Sequence, residues 1–305
     1  MKNSPFFKQV ELMLRTIPHI AAEKCFGLKG GTAINLFVRD MPRLSVDIDL
    51  TYLPIEPREQ SLKEIGFALR RISNAIERTI SGVKVQVGYA IGNKNITKIF
   101  VRNAESQIKI EPNLVIRGAI FPCSERTLCK KAEEAFGLSV STTTLSFADL
   151  YGGKICAALD RQHPRDLFDI HLLMETEGIT DQVRKAFVVY LASHDRPMTE
   201  LIDPTRKDIR RIFENEFSGM ASTSVIYDDL MAAREKLIAI IKKDLTESER
   251  KFLVSVKEMA PQWNLLGLDG IDKLPSIQWK LLNLQKMSKK KHAEALARLK
   301  FKLGL

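Results

Sequence analysis

Apolar side chains recur at Phe7, Val10, Leu14 and Ile17, the spacing of one face of a helix. They predict a helix over 6–25, kinked or interrupted at Pro18. A second short helix is predicted over 33–38. From Arg43 to Leu53 the period shortens to two, which predicts a strand. Pro57 opens a helical stretch that runs to about Ile80. Three alternating runs follow, over 83–91, 96–102 and 107–116, with Gly92-Asn93 and Asn103 as turn signals between them. The stretch 121–144 shows neither period clearly. From Ser146 onward the pattern is helical. Ser146 is a capping residue, with Asp149 three positions later in the first turn. Pro164 separates that helix from one starting near Arg165, and further helical runs cover 180–194, 206–217, 226–243, 246–258 and 275–301. No internal repeat is visible. The expected class is α/β: a mixed α/β domain over 1–145, then a mostly helical domain over 146–305.

Composition adds few constraints. With 45% hydrophobic and 28% charged residues, the chain has the balance of a soluble globular protein. No apolar run approaches the roughly 20 residues that span a bilayer, and 1–5 has no secretory signal pattern. Cys25, Cys123, Cys129 and Cys156 show no metal-ligand spacing, so reduced thiols and a cytoplasmic location are expected. A net charge of +10 favours a polyanionic partner, either nucleic acid or an acidic protein.

The candidate chemistry lies in two short stretches, Gly30-Gly31-Thr32 and Ser45-Val46-Asp47-Ile48-Asp49-Leu50. On a strand, Ser45, Asp47 and Asp49 share one face, while Val46, Ile48 and Leu50 take the buried one. The two aspartates then stand roughly 7 Å apart at Cα. Aspartate is a poor strand former, and adjacent like charges need a cation. Magnesium would supply one, since it takes hard oxygen ligands and shares them with substrate phosphates. Two glycines allow close backbone approach to a phosphate. The helix that follows offers unpaired N–H groups to an anion, and the Thr32 hydroxyl can add a hydrogen bond.

These stretches resemble the DNA polymerase β-type nucleotidyltransferase superfamily and, more closely, the AbiEii/AbiGii toxin family, also represented by the MenT toxins. The resemblance is carried by Leu28-Lys29-Gly30-Gly31-Thr32-Ala33, by Arg43-Leu44-Ser45-Val46-Asp47-Ile48-Asp49-Leu50 and by Lys109-Ile110-Glu111. It continues through Asp149-Leu150-Tyr151-Gly152-Gly153-Lys154 and Arg165-Asp166-Leu167-Phe168-Asp169-Ile170. It implies a small nucleotidyltransferase sheet with flanking helices, then a helical domain closing over the cleft. Asp47 and Asp49 match the metal-binding pair, and Gly30, Gly31 and Thr32 the phosphate-binding turn. Lys154 matches the lysine that contacts the nucleotide phosphates. Asp166 matches an aspartate that acts near the attacking group or positions Lys154. Glu111 would be a third carboxylate, activating the attacking hydroxyl. The Gly-Ser turn common in the superfamily is Gly-Gly-Thr here, with the hydroxyl one position later.

The implied function is that of a toxin in a toxin–antitoxin or phage-defence pair. With magnesium, or alternatively manganese, it would transfer a nucleotide from a nucleoside triphosphate to the 3′ end of tRNA and so block translation. Its partners would be the nucleotide, tRNA and a cognate antitoxin protein. Two other readings stay open: transfer to a protein or small molecule, and a non-catalytic nucleotide-binding module. Several residues carry two readings. Ser45 either hydrogen-bonds an aspartate or touches a phosphate. Asp169 either caps structure or pairs with Arg165, with Asp166 favoured for catalysis. Arg161 and Arg165 either bind phosphate or pair with acids. His163 and His171 are either general bases or ordinary structural histidines. The basic run Lys286, Lys289, Lys290, Lys291, Arg298, Lys300 and Lys302 is either a solvated face or a phosphate-binding surface. Trp263 and Trp279 are read as core residues.

Overall fold

The computed structural model describes residues 5–89 and 95–305, and the chain divides into two units. The last residues of the predicted strand 83–91, the Gly92-Asn93 turn and most of the segment 1–5 lie outside the described residues.

The first unit comprises Met1–Ser146 with Ser218–Ser224. Its elements are α1 (Pro5–Ala21), β1 (Phe26–Lys29), α2 (Gly30–Ala33), which runs into a π-helical turn at Ile34–Val38, and β2 (Asp47–Tyr52). Then come α3 (Arg58–Thr79), β3 (Lys84–Tyr89), β4 (Ile96–Arg102), β5 (Gln107–Asn113), β6 (Ser124–Thr127), α4 (Lys130–Phe136) and β7 (Ser141–Thr144). The seven strands among the described residues form one mixed sheet in the order β3-β4-β5-β2-β1-β7-β6. The β2–β5 and β1–β7 pairs are parallel and the others antiparallel.

The sheet has one apolar and one polar face. Leu28, Ile48, Leu50, Ile99, Val101 and Ile110 are buried on the apolar side, where α1 and α3 pack. Those helices bring buried stripes of their own, Val10, Leu14 and Ile17 on α1 and Ile65, Leu69 and Ile72 on α3. The polar side carries the aspartates.

Two expectations need correcting in this unit, and two stretches that were given no element prove to have one. The first helix ends at Ala21, one turn after Pro18, rather than at 25. β1 was not read as a strand, because Phe26, Gly27 and Leu28 are all buried and so show no alternation. The predicted strand 43–53 begins only at Asp47. Ahead of it, Leu44 N donates to Met220 O at 2.9 Å and Ser222 N donates to Pro42 O at 2.8 Å, with Arg43 bridged to Ala221. That pairing reaches far along the chain and leaves no local signal. The stretch 121–144, which showed neither period clearly, holds β6, α4 and β7.

The second unit, Phe147–Phe217 with Val225–Leu305, is helical. It holds α5 (Phe147–Arg161), α6 (Pro164–Glu175), α7 (Asp181–Ser193), α8 (Met198–Ile202) and α9 (Arg210–Ile212), which leads into a π-helical turn at Phe213–Phe217. After these come α10 (Tyr227–Asp244), α11 (Glu247–Lys257), α12 (Pro275–Gln285) and α13 (Lys289–Leu303). Caps mark several of the starts. Thr180 accepts from Val183 N, and Thr246 with Glu249 forms a reciprocal capping box. The predicted run 275–301 is two helices, broken between Lys286 and Ser288. The run 206–217 is helical only from Arg210, and α8 was not anticipated.

The corner between α5 and α6 is held by Gln162, which has a φ of 54°. Its side chain donates to Thr205 O and accepts from Lys207 N and Arg234. Three bonds over-determine an otherwise unfavourable backbone.

Of the C-terminal basic run, Lys300 pairs with Glu258 at 2.7 Å and Lys302 pairs with Asp203. Lys286, Lys289, Lys290, Lys291 and Arg298 are exposed. Trp263 lies against Phe252, with ring centroids 6.0 Å apart, and Trp279 is half-buried. All four cysteines are free thiols, and Cys156 is buried. No helix among the described residues is long and apolar enough to cross a membrane.

The two adjacent glycines of α5 behave differently. A Cβ on Gly152 would stand 2.7 Å from Ala186 Cβ and from Phe187 N on α7, whereas one on Gly153 would meet nothing within 4 Å. Gly152 is therefore where the α5 and α7 backbones meet. The expected outcome is opposite in sign at the two positions. Gly152→Ala should destabilise by about 1–3 kcal/mol through overpacking. Gly153→Ala should stabilise by about 1 kcal/mol through helix propensity. Urea unfolding followed by circular dichroism checks both.

Candidate active site

The carboxylate pair is built by the turn that joins β1 to α2. Gly30 has a φ of 72°, and a Cβ there would lie 2.7 Å from Asp49 Oδ2. A Cβ on Gly31 would lie 2.7 Å from the Arg43 guanidinium and 2.9 Å from Ser45 Oγ. Both glycines are thus required by the protein's own site residues. Asn35 Nδ2 donates to Gly31 O at 2.9 Å and braces the turn.

The Thr32 hydroxyl is buried, donates to Asp47 O and lies 3.0 Å from Ser45 Oγ. The sequence reading offers Thr32 to a phosphate and Ser45 either to an aspartate or to a phosphate; in the folded chain the two hydroxyls face each other. Ser45 lies before the start of β2, is buried itself, and its hydroxyl faces Thr32 instead of standing in line with the aspartates. The Thr32 hydroxyl fastens the turn to the first residue of the aspartate strand, and the Ser45 hydroxyl packs against it. Arg43 is also buried and donates to Leu44 O at 2.9 Å.

Asp47 and Asp49 are half-exposed on the polar face of β2. Register sets their neighbours. Across β5, Lys109 stands opposite Asp47 and Glu111 opposite Asp49. Across β1, Lys29 stands opposite Asp49. Lys109 Nζ lies 2.7 Å from Glu111 Oε2, and Lys98 Nζ lies 4.0 Å from Glu111 Oε1. The hydrogen bond to Glu111, with Asp47 and Asp49 further off, holds the Lys109 pKa above the ordinary lysine value. Sequence reasoning quoted Lys29 and Lys109 within motifs but gave them no role, and it passed over Lys98. Alternation puts each lysine on a face, but which strand lies beside which is a matter of sheet order.

The donor chemistry fits magnesium. Asp47 and Asp49 are hard oxygen donors on one open face, and the missing Cβ of Gly30 leaves the Asp49 carboxylate uncrowded. Among the described residues no three His, Cys, Asp or Glu side chains are grouped as a metal cluster. Magnesium commonly takes one or two carboxylates and completes its shell with substrate phosphates and water. Glu111 is engaged by Lys109.

The other predicted residues lie together inside the helical unit. Lys154 Nζ lies 2.9 Å from Asp166 Oδ1 and 3.0 Å from Asp169 Oδ2. Arg161 donates to Asp166 Oδ2 at 2.8 Å. Lys154, Asp166 and Asp169 are all buried, and two cations face two carboxylates. Asp169 pairs with Lys154 where α5 packs on α6. His163 caps α6, accepting from Arg165 N through Nδ1, while Nε2 lies 3.2 Å from Glu216. Burial lowers its pKa. His171 is half-buried on α6. Asp149, also buried, accepts from Tyr190 Oη at 2.7 Å, a partner that sequence spacing could not supply.

The mixed sheet with paired aspartates beside a glycine turn has the architecture of a nucleotidyltransferase. The fold is shared with the MenT4 nucleotidyltransferase toxin of Mycobacterium tuberculosis, at 15% identity and a TM-score of 0.60, over 97% of this chain and 95% of that one. No curated protein is significantly similar in sequence. The profile of the AbiEii nucleotidyl transferase toxins of type IV toxin–antitoxin systems matches residues 11–258, and the chain belongs to that family.

Two variants probe the constellations separately. Gly30→Ala forces a side chain into a left-handed backbone and onto Asp49. It should lower nucleotide transfer by about a hundredfold, the scale of a 1 Å misplacement, at a stability cost of roughly 1–2 kcal/mol. Lys154→Met leaves buried carboxylates unbalanced and should destabilise the fold by about 3–5 kcal/mol. Adding Asp169→Asn should recover part of that loss. Denaturation midpoints of the single and double variants check the coupling.

Proposed function

We propose that this protein transfers a nucleotide from a nucleoside triphosphate to the 3′ end of tRNA, releasing pyrophosphate and blocking translation. The observation that carries this reading is the polar face of β2, where Asp47 and Asp49 abut the Gly30-Gly31 turn on one side and the Lys109–Glu111 pair on the other. Asp47 and Asp49 would hold magnesium, or manganese in its place, which when bound neutralises charge on the reacting phosphates. Gly30 and Gly31 keep the phosphates close to the aspartates. The 3′-hydroxyl oxygen bonds to the α-phosphorus as the bond to the bridging oxygen breaks. Pyrophosphate leaves with that electron pair, and the hydroxyl proton passes to Glu111. Catalysis of this kind is mostly positioning and charge neutralisation.

Lys154 and Asp166 enter through the family resemblance, the lysine as a cation for the nucleotide phosphates and the aspartate as the group that positions it. A net charge of +10 and the lysines of the carboxylate face favour a nucleic-acid acceptor over a protein or small molecule. A cognate antitoxin and a place in phage defence belong to the same proposal.

The test is incubation with magnesium, total tRNA and each α-labelled nucleoside triphosphate in turn. Label should move onto RNA with one nucleotide and fall by a hundredfold or more, on the order seen when one transition-state charge stabiliser is removed, in Asp47→Asn. Label arriving instead on a protein or small molecule in lysate would move the acceptor. Bound nucleotide with no transfer at all would leave only a binding module. Lys154→Ala is a poor control, since its effect on folding would be read as an effect on chemistry.

A further inference from the structure

We propose that the β4–β5 side of the carboxylate face is a platform for the last nucleotide of the acceptor strand, with its base stacked on Phe100. The proposal rests on the reading of the site given above and names how that site takes its acceptor.

Phe100 is out of place by pattern. Its neighbours Ile99 and Val101 are buried on the apolar side of the sheet, so Phe100 falls on the polar side, where it is half-buried. Register sets it opposite Lys109 on β5 and Gln86 on β3. Lys98 Nζ lies over the ring, 5.8 Å from its centroid. A Cβ on Gly88 would meet Lys98 Cγ at 2.8 Å, so this glycine makes room for the lysine stem to lie flat over β3. Lys84 and Arg102, paired in register at the outer end of β3 and β4, are exposed. An aromatic ring among cations on an open sheet face suits a single nucleic-acid strand, because bases stack on the ring and phosphates meet the cations.

The chemistry sets the direction of approach. In an in-line displacement the attacking and leaving oxygens lie on opposite sides of the phosphorus. The Gly30-Gly31 turn and Lys29 lie on the β1 side of Asp49, while Glu111 and Lys109 lie on the β5 side. With the pyrophosphate on the β1 side, the acceptor hydroxyl arrives from the β5 side, beside Glu111. Phe100 is one strand further out, roughly 10 Å from β2.

The experiment uses an acceptor-stem RNA carrying 2-aminopurine as its 3′-terminal base, with the full-length protein as wild type, Phe100→Ala and Phe100→Trp. Fluorescence quenching on binding, without nucleotide, reads stacking directly. Steady-state kinetics separate the KM for RNA from the KM for nucleotide. The expected result is quenching in wild type and Phe100→Trp and its loss in Phe100→Ala. The KM for RNA should rise about 5- to 100-fold in Phe100→Ala, with the KM for nucleotide and the melting temperature little changed. Lys98→Ala should reduce the salt dependence of RNA binding by about 0.7 in the log–log slope.

Full quenching and an unchanged KM for RNA in Phe100→Ala would overturn the platform. So would a rise confined to the KM for nucleotide, which would put the incoming base there instead. If wild type transfers nothing to RNA, the proposed function fails, and quenching still decides the platform: its dependence on Phe100 supports the platform, and its absence overturns it.

Discussion

The carboxylate face depends on the contact between Gly30 and Asp49. Gly30 is in a left-handed conformation, and the space where a Cβ would sit is taken up by the Asp49 carboxylate. That contact lets β1 turn sharply into α2 while β1 and β2 stay paired through Lys29 and Asp49. The Thr32 hydroxyl then holds the carbonyl of Asp47, so the glycine turn and the aspartate strand form one rigid piece. A site that works by positioning needs that rigidity, because its rate depends on geometry rather than on a reactive side chain.

Three carboxylates on one open sheet face repel one another, and lysines meet that repulsion. Lys109 is hydrogen-bonded to Glu111 and lies near both aspartates, while Lys29 and Lys98 flank the group in register. The same cations favour a polyanion, so one charge arrangement both stabilises the carboxylate face and suits the nucleic-acid acceptor proposed above.

The helical unit solves a different electrostatic problem. Buried Lys154 bridges the buried carboxylates of Asp166 and Asp169 in the α5–α6 contact, and exposed Arg161 reaches Asp166 from its edge. Removing one member of such a buried set is far more damaging than the worth of the intact set would suggest. Gly152 sets the approach of α5 to α7, and Gln162 fixes the corner from which α6 starts. The spacing of Lys154 from Asp166 therefore rests on helix packing and on an unusual backbone residue.

Local periodicity settled much of this protein in advance. The helices α3, α5, α6, α10 and α11, the strands β4 and β5, and the placement of Asp47 and Asp49 on one face follow from spacing alone, because side-chain direction repeats with the backbone. The five ordered motifs between Leu28 and Ile170 carried the family resemblance, and the family match over residues 11–258 bears it out. Tertiary structure decided what spacing cannot encode. Thr32 and Ser45 turn inward because residues 31, 43 and 47 converge on them. Asp169 meets Lys154 because α6 packs on α5. Lys109, Glu111 and Phe100 join the aspartates because β5 lies beside β2 and β4 beside β5. The sequence determines which way each side chain points from its own strand or helix, but partners distant in the chain are set by sheet order and helix contact, which only the folded chain establishes.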